Sequence, residues 1–143
     1  ARAEVAEAVA SGKAFETMKK WIAAQGGNAA ALEDFSLLPQ ASVHYELKAP
    51  RSGYLAHMDA QKIGEASAIL GAGRQKKEDS IDYAAGIVLR KKTGDRVEAG
   101  ETLAELWTNQ EKSVADSEAE FLSALVWGEE APQHQPLVLG VIR

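Results

Sequence analysis

KAPRSGYLAHMDAQKIGEASAILGAGRQKKEDSID, residues 48–82, decides how the chain is read. Pro50 cannot donate a ladder hydrogen bond, so extended pairing breaks at a turn over 50–53. Tyr54, Ala56 and Met58 then alternate with Leu55 and His57, the period of a strand. Asp59 can accept hydrogen bonds from the free N–H groups of a helix start. The spacing of Ile63, Ala66, Ile69 and Leu70 predicts a helix over 60–70 with one inner face. Gly71-Ala72-Gly73-Arg74 closes it, and the charged run to Asp82 reads as an exposed loop.

Upstream, the period of 2 persists: Val43, Tyr45 and Leu47 alternate with His44, Glu46 and Lys48. Before residue 42 it is 3.6. Residues 2–10 form helix well but carry only the thin stripe Val5, Ala6 and Val9. After a break at Ser11-Gly12, residues 13–25 make an amphipathic helix with Phe15, Met18 and Ile22 on one face. Glu16 and Lys20 are expected to pair outside it, and Gly26-Gly27 to stop it. Residues 28–41 read as a connection with one short helical turn. The change of period divides the chain into a helical segment, 1–41, and a sheet-containing domain, 42–143.

Downstream, strands are expected over 86–91 and 102–107, with turns at 93–95 and 98–101 and Val97 bridging them. Helical period returns over 112–127, with Val114, Phe121, Leu122, Leu125 and Val126 inward. Pro132 and Pro136 frame a loop, and residues 137–142 read as a closing apolar strand. The fold class is α+β, N-terminal helices followed by a mixed sheet with an inserted helix.

The 143 residues are 45% hydrophobic and 26% charged, a globular balance. A net charge of −5 without a basic face argues against duplex nucleic acid. No apolar run approaches a membrane span. With no cysteine there is no disulfide, thiolate nucleophile or zinc–thiolate site, which fits a cytoplasmic setting. The first residue is Ala1, as expected of a piece processed or excised from a longer chain.

Candidate chemistry is sparse. The G-A-G-R run invites a phosphate-loop reading, but its glycines follow a helix, at the negative end of its dipole. A helix cap and tight turn fits better, with Arg74 leaving that turn toward a ligand, a neighbouring domain, or Asp79 or Asp82. His44, His57 and His134 match no metal spacing and have no obvious acid partner. Serines lack a nucleophile-elbow setting, and no carboxylate pair stands apart. The residues describe a compact domain with no complete active site, no cofactor and no metal.

A-P-R-S-G-Y-L and K-K-T-G-D-R-V-E-A-G-E-T-L-A-E-L resemble the halves of biotinyl and lipoyl carrier domains, which form flattened barrels with glycine corners. Neither M-K-M nor D-K-A occurs, and Lys91 and Lys92 sit at a strand end. The resemblance therefore implies a barrel-sandwich-like sheet with an inserted helix, of α/β-hammerhead type, with a carrier or binding module as the alternative function.

A longer match favours one family. Residues 11–27, S-G-K-A-F-E-T-M-K-K-W-I-A-A-Q-G-G, and 49–74, A-P-R-S-G-Y-L-A-H-M-D-A-Q-K-I-G-E-A-S-A-I-L-G-A-G-R, are similar to the C-terminal region of pyrimidine-nucleoside and thymidine phosphorylases. The resemblance implies an enzyme that cleaves a pyrimidine nucleoside with phosphate, giving the base and a pentose 1-phosphate. It implies a homodimeric parent with an α domain and an α/β domain that close over a cleft. The family's phosphate- and base-binding motifs lie nearer the N-terminus and do not occur here. No catalytic residue is therefore carried over; residues 1–41 would come from the parent's α/β domain. Gly71, Gly73 and Arg74 are the candidate interdomain or closure loop, and the partner is the N-terminal part of the same enzyme.

Overall fold

A computed structural model describes residues 1–74, 76–133, 138 and 140–142. Among them the backbone forms four α-helices and six strands, divided into two compact units, Ala1–Gln40 and Ala41–Arg143.

The first unit is helical. Helices α1 (Arg2–Ala10) and α2 (Lys13–Ala24) are separated by Gly12. Helix α2 ends in a Schellman motif: Gly27 N–H donates to Ile22 O at 2.9 Å and Gly26 N–H to Ala23 O at 3.0 Å. Gly26 takes φ 78°, which a Cβ would oppose. Two 3-10 turns follow, Ala29–Leu32 and Phe35–Leu37, where one was expected. Asn28 and Asp34 cap them by accepting from the N–H two residues on. Glu16 pairs with Lys19 rather than Lys20, because Glu33 holds the same ammonium from the other side.

The second unit is α+β. Strands β1 (Val43–Lys48), β5 (Thr102–Thr108) and β3 (Gly86–Leu89) form one antiparallel sheet, in that order. Strands β4 (Arg96–Val97), β2 (Gly53–Met58) and β6 (Leu125–Gly128) form another. Two small antiparallel sheets thus replace the single mixed sheet expected. The 50–53 turn is the cause: it ends β1, and β2 starts beyond it in a separate ladder. Strand β2 carries a bulge at Ala56, since Leu55 faces Trp127 and His57 faces Val126.

Helix α3 (Ala60–Ser67) starts where expected, with Asp59 Oδ1 accepting from the N–H groups of Gln61 and Lys62. It packs on α4 (Val114–Ser123) through small residues. Buried Ser117 donates to Ala66 O at 2.9 Å, and both are fully covered. Helix α4 is shorter than the 112–127 expected. Leu125–Gly128 leaves it to pair with β2, so Leu125 is buried and Val126 is exposed. A helix-compatible apolar run that meets an open strand edge gains ladder hydrogen bonds by turning extended.

The core between the sheets and α3–α4 contains Leu47, Leu55, Leu70, Val97, Leu106 and Phe121, all fully buried. Of the closing strand expected at 137–142, residues 137 and 139 lie outside the described residues. The other four, Val138, Gly140, Val141 and Ile142, are exposed and belong to no strand, which corrects that expectation.

Candidate functional site

Loop 71–82 begins where the helical path of α3, carried on through a wider last turn over Ala68–Ala72, is broken by the non-helical backbone of Gly71. Gly71 is buried with φ 109°, and a Cβ there would lie 3.2 Å from Gln110 Nε2 and 3.4 Å from Asp82 Cβ. Only glycine meets both demands.

The two stems are tied to each other, since Asp82 N–H donates to Gly71 O at 2.9 Å. This is the construction of a compact surface loop with adjacent ends. The end of β5 holds both stems. Buried Thr108 donates its hydroxyl to Leu70 O at 2.7 Å, and Asn109 Nδ2 donates to Asp82 Oδ2 at 2.9 Å. The carbonyls that a helix end leaves open are thereby used: Ala66 by Ser117, Leu70 by Thr108 and Gly71 by Asp82.

Gly73 turns back against Ala68, whose Cβ would be 3.0 Å from an added Cβ. Arg74 leaves this turn exposed, as expected, beside a depression of about 380 Å³ bordered by Glu65, Ile69 and Glu120. Lys76, Ser80 and Gln110 border a second depression of about 320 Å³ with Gly71 and Gly73. Asp82 is engaged by Asn109 and by Ala84 N–H, so an Arg74–Asp82 pair does not form among the described residues. A helix C-terminus is the negative end of its dipole, so the loop base favours donors and cations over phosphate.

The titratable groups elsewhere are largely committed. His44 stacks on Trp107 with ring centres 4.0 Å apart, and its Nε2 lies 3.3 Å from Glu105 Oε2. This corrects the expectation that no histidine has an acid partner. The two residues lie diagonally across β1 and β5, 61 positions apart in sequence, so only the register reveals them. Arg90 donates to Glu105 Oε1 and is the main reason that this carboxyl sits below its usual range. A carboxylate so held is no free base. His57 is exposed on β2, and His134 lies outside the described residues.

Lys91 pairs with Glu101 and holds that carboxyl low, and Lys92 N–H donates to Asp95 in the turn. Among the described residues, no group of three histidine or acidic side chains could hold a metal ion, and no helix is long and apolar enough to cross a membrane.

Comparison with known proteins adds what the geometry leaves open. The family profile described as the pyrimidine nucleoside phosphorylase C-terminal domain matches residues 54–126. The pyrimidine-nucleoside phosphorylases of Bacillus subtilis (strain 168) and Geobacillus stearothermophilus are each 46% identical over 111 and 112 residues. That of Staphylococcus aureus (strain USA300) is 48% identical over 111. Each alignment takes in 78% of this chain and 26% of the relative, so the chain spans about a quarter of their length.

Proposed function

The chain belongs to the family of pyrimidine nucleoside phosphorylase C-terminal domains, and on that footing we propose that it is the supporting C-terminal part of such an enzyme. The parent would cleave a pyrimidine nucleoside with phosphate to the free base and a pentose 1-phosphate. The observation that carries this reading is the 46% identity to a phosphorylase of which the chain covers 26%.

Residues 42–143 would form a barrel-sandwich domain of α/β-hammerhead type. Its support is the pair of antiparallel sheets with α3 inserted after β2. Residues 1–41 would be a helical segment of the parent's α/β domain, which accords with the exposed Phe15, Met18 and Trp21. The partner is then the N-terminal part of the same polypeptide, in a cytoplasmic homodimer that needs no cofactor beyond phosphate as co-substrate. This part would lack the catalytic groups: among the described residues, the carboxylates beside the chain's basic groups are tied up, Glu105 by Arg90 and His44 and Glu101 by Lys91.

Loop 71–82, with Gly71, Gly73 and Arg74, would meet the cleft or the opposing domain as the enzyme closes. Its support is a rigid stem that presents an exposed arginine. Phosphorolysis of uridine and thymidine separates the parts of this proposal. The full-length parent is expected to turn over and the 143-residue chain alone is not. Turnover by the chain alone would overturn the supporting role. In the parent, Arg74→Ala is expected to move kcat and KM together; a change in stability alone would make the loop merely structural.

A further inference from the structure

We propose that Asn109 is the positioning residue of loop 71–82, joining the base of that loop to Ser42, where the chain enters β1. Its carboxamide faces two partners of opposite kind. The Ser42 N–H can only donate and lies 2.8 Å from Asn109 Oδ1. The Asp82 carboxylate, ionised, can only accept and lies 2.9 Å from Nδ2. A carboxamide presents an acceptor and a donor on one planar group, and these neighbours dictate which way it points. A carboxylate at 109 would still accept from Ser42 but would oppose Asp82. An aliphatic side chain would serve neither.

Asp82 passes the constraint into the loop. Its N–H donates to Gly71 O, its Oδ1 accepts from Ala84 N–H at 2.9 Å, and its carbonyl accepts from Ala85 N–H at 3.1 Å. One residue before Asn109, Thr108 holds the opposite stem through Leu70. Both stems therefore hang on two consecutive residues at the end of β5. Thr108 is buried and anchors the helix end, whereas Asn109 is exposed and also reaches the start of the sheet domain. A displacement of the backbone at Ser42 reaches the loop base through this one amide, a chain of two direct hydrogen bonds. Its consequence for turnover rests on the proposed closure role of the loop; the positioning itself does not.

Amide hydrogen exchange on the 143-residue chain tests it, with wild type, Asn109→Asp, Asp82→Asn and the double variant. Either single change sets like groups against each other. Exchange at the amides of Asp82, Ala84 and Ala85 is then expected to quicken at least roughly tenfold, the scale of a lost hydrogen bond to a charged group. In Asn109→Asp the Ser42 amide keeps its acceptor and is expected to change less. The double variant exchanges donor and acceptor across the pair and keeps all three bonds, so it should return to within about twofold of wild type. Unchanged exchange in Asn109→Asp, or a double variant as fast as the singles, would overturn the inference. If the singles quicken, the double recovers and the parent's kcat and KM stay unchanged throughout, the positioning stands and the closure reading falls.

Discussion

The helical unit Ala1–Gln40 and the α+β unit Ala41–Arg143 use the same kinds of residue to opposite effect. In the first, Ala31 is the one buried residue, while Phe15, Met18, Trp21 and Phe35 are 41–70% exposed. It is held by bonds between near neighbours: the Schellman end of α2, the Asn28 and Asp34 caps, and Lys19 between Glu16 and Glu33. In the second, Leu47, Leu55, Val97, Leu106 and Phe121 come from five separate elements and are fully covered. Local hydrogen bonds can specify a helix, but apolar burial stabilises it, and only the second unit has that burial within itself.

The sharpest way to break the contrast is to cut the same side chain in each unit. Phe121→Ala removes a fully buried ring and is expected to cost about 3–5 kcal/mol in denaturant unfolding. Phe15→Ala, at a half-exposed ring, should cost under ~1 kcal/mol. Equal losses would mean that the face of α2 is covered in solution.

A smaller contrast lies in the backbone. Gly71→Ala meets both a positive φ and close neighbours and is expected to cost about 2–3 kcal/mol in thermal melts. Gly26→Ala meets open space and should cost about 1 kcal/mol through φ alone. Capping separates the units less. Asp59→Ala should cost about 1 kcal/mol by removing the cap of α3. Asp34→Ala, capping one exposed 3-10 turn, should stay within about 0.5 kcal/mol.

The smallest expected effect depends on pH. Arg90, and after it His44, holds the Glu105 carboxyl below its usual range, so the folded state binds that proton less readily than the unfolded chain. The resulting stability is present above the ordinary carboxylate pKa and fades as pH falls through the lowered folded value. Glu105→Gln should therefore lower the melting temperature slightly at neutral pH and not at strongly acid pH. A difference that grows toward acid would reverse the sign and count against the pairing.

Much of this was legible along the chain because its causes are local. Asp59 before an apolar-periodic run starts a helix, Gly26-Gly27 ends one, and alternation from Val43 to Lys48 makes a strand, all as found. The end of α4 was not legible, because Leu125-Val126-Trp127 suits helix or strand and the open edge of β2 decides. Nor was the acid beside His44, which depends on a register between distant strands. At the candidate loop, Gly71, Gly73 and Arg74 stand out as punctuation and charge. Thr108 and Asn109, which hold it, carry no signal, since a polar pair after a strand reads as an ordinary turn.

By itself the sequence determined the helices around 2–10 and 13–24 and the one that starts after Asp59, the strands around 43–48, 53–58, 86–89 and 102–108, the change of period near residue 42, and the family to which the chain is akin. Those rest on interactions a few residues long and on ordered motifs. The tertiary structure alone decided that the strands divide into two sheets, that Leu125–Gly128 joins the second, and that the stems of loop 71–82 converge on Thr108 and Asn109. These outcomes turn on which open edge or unpaired polar group lies within reach once the core has closed, and that is set by packing among residues far apart in the chain.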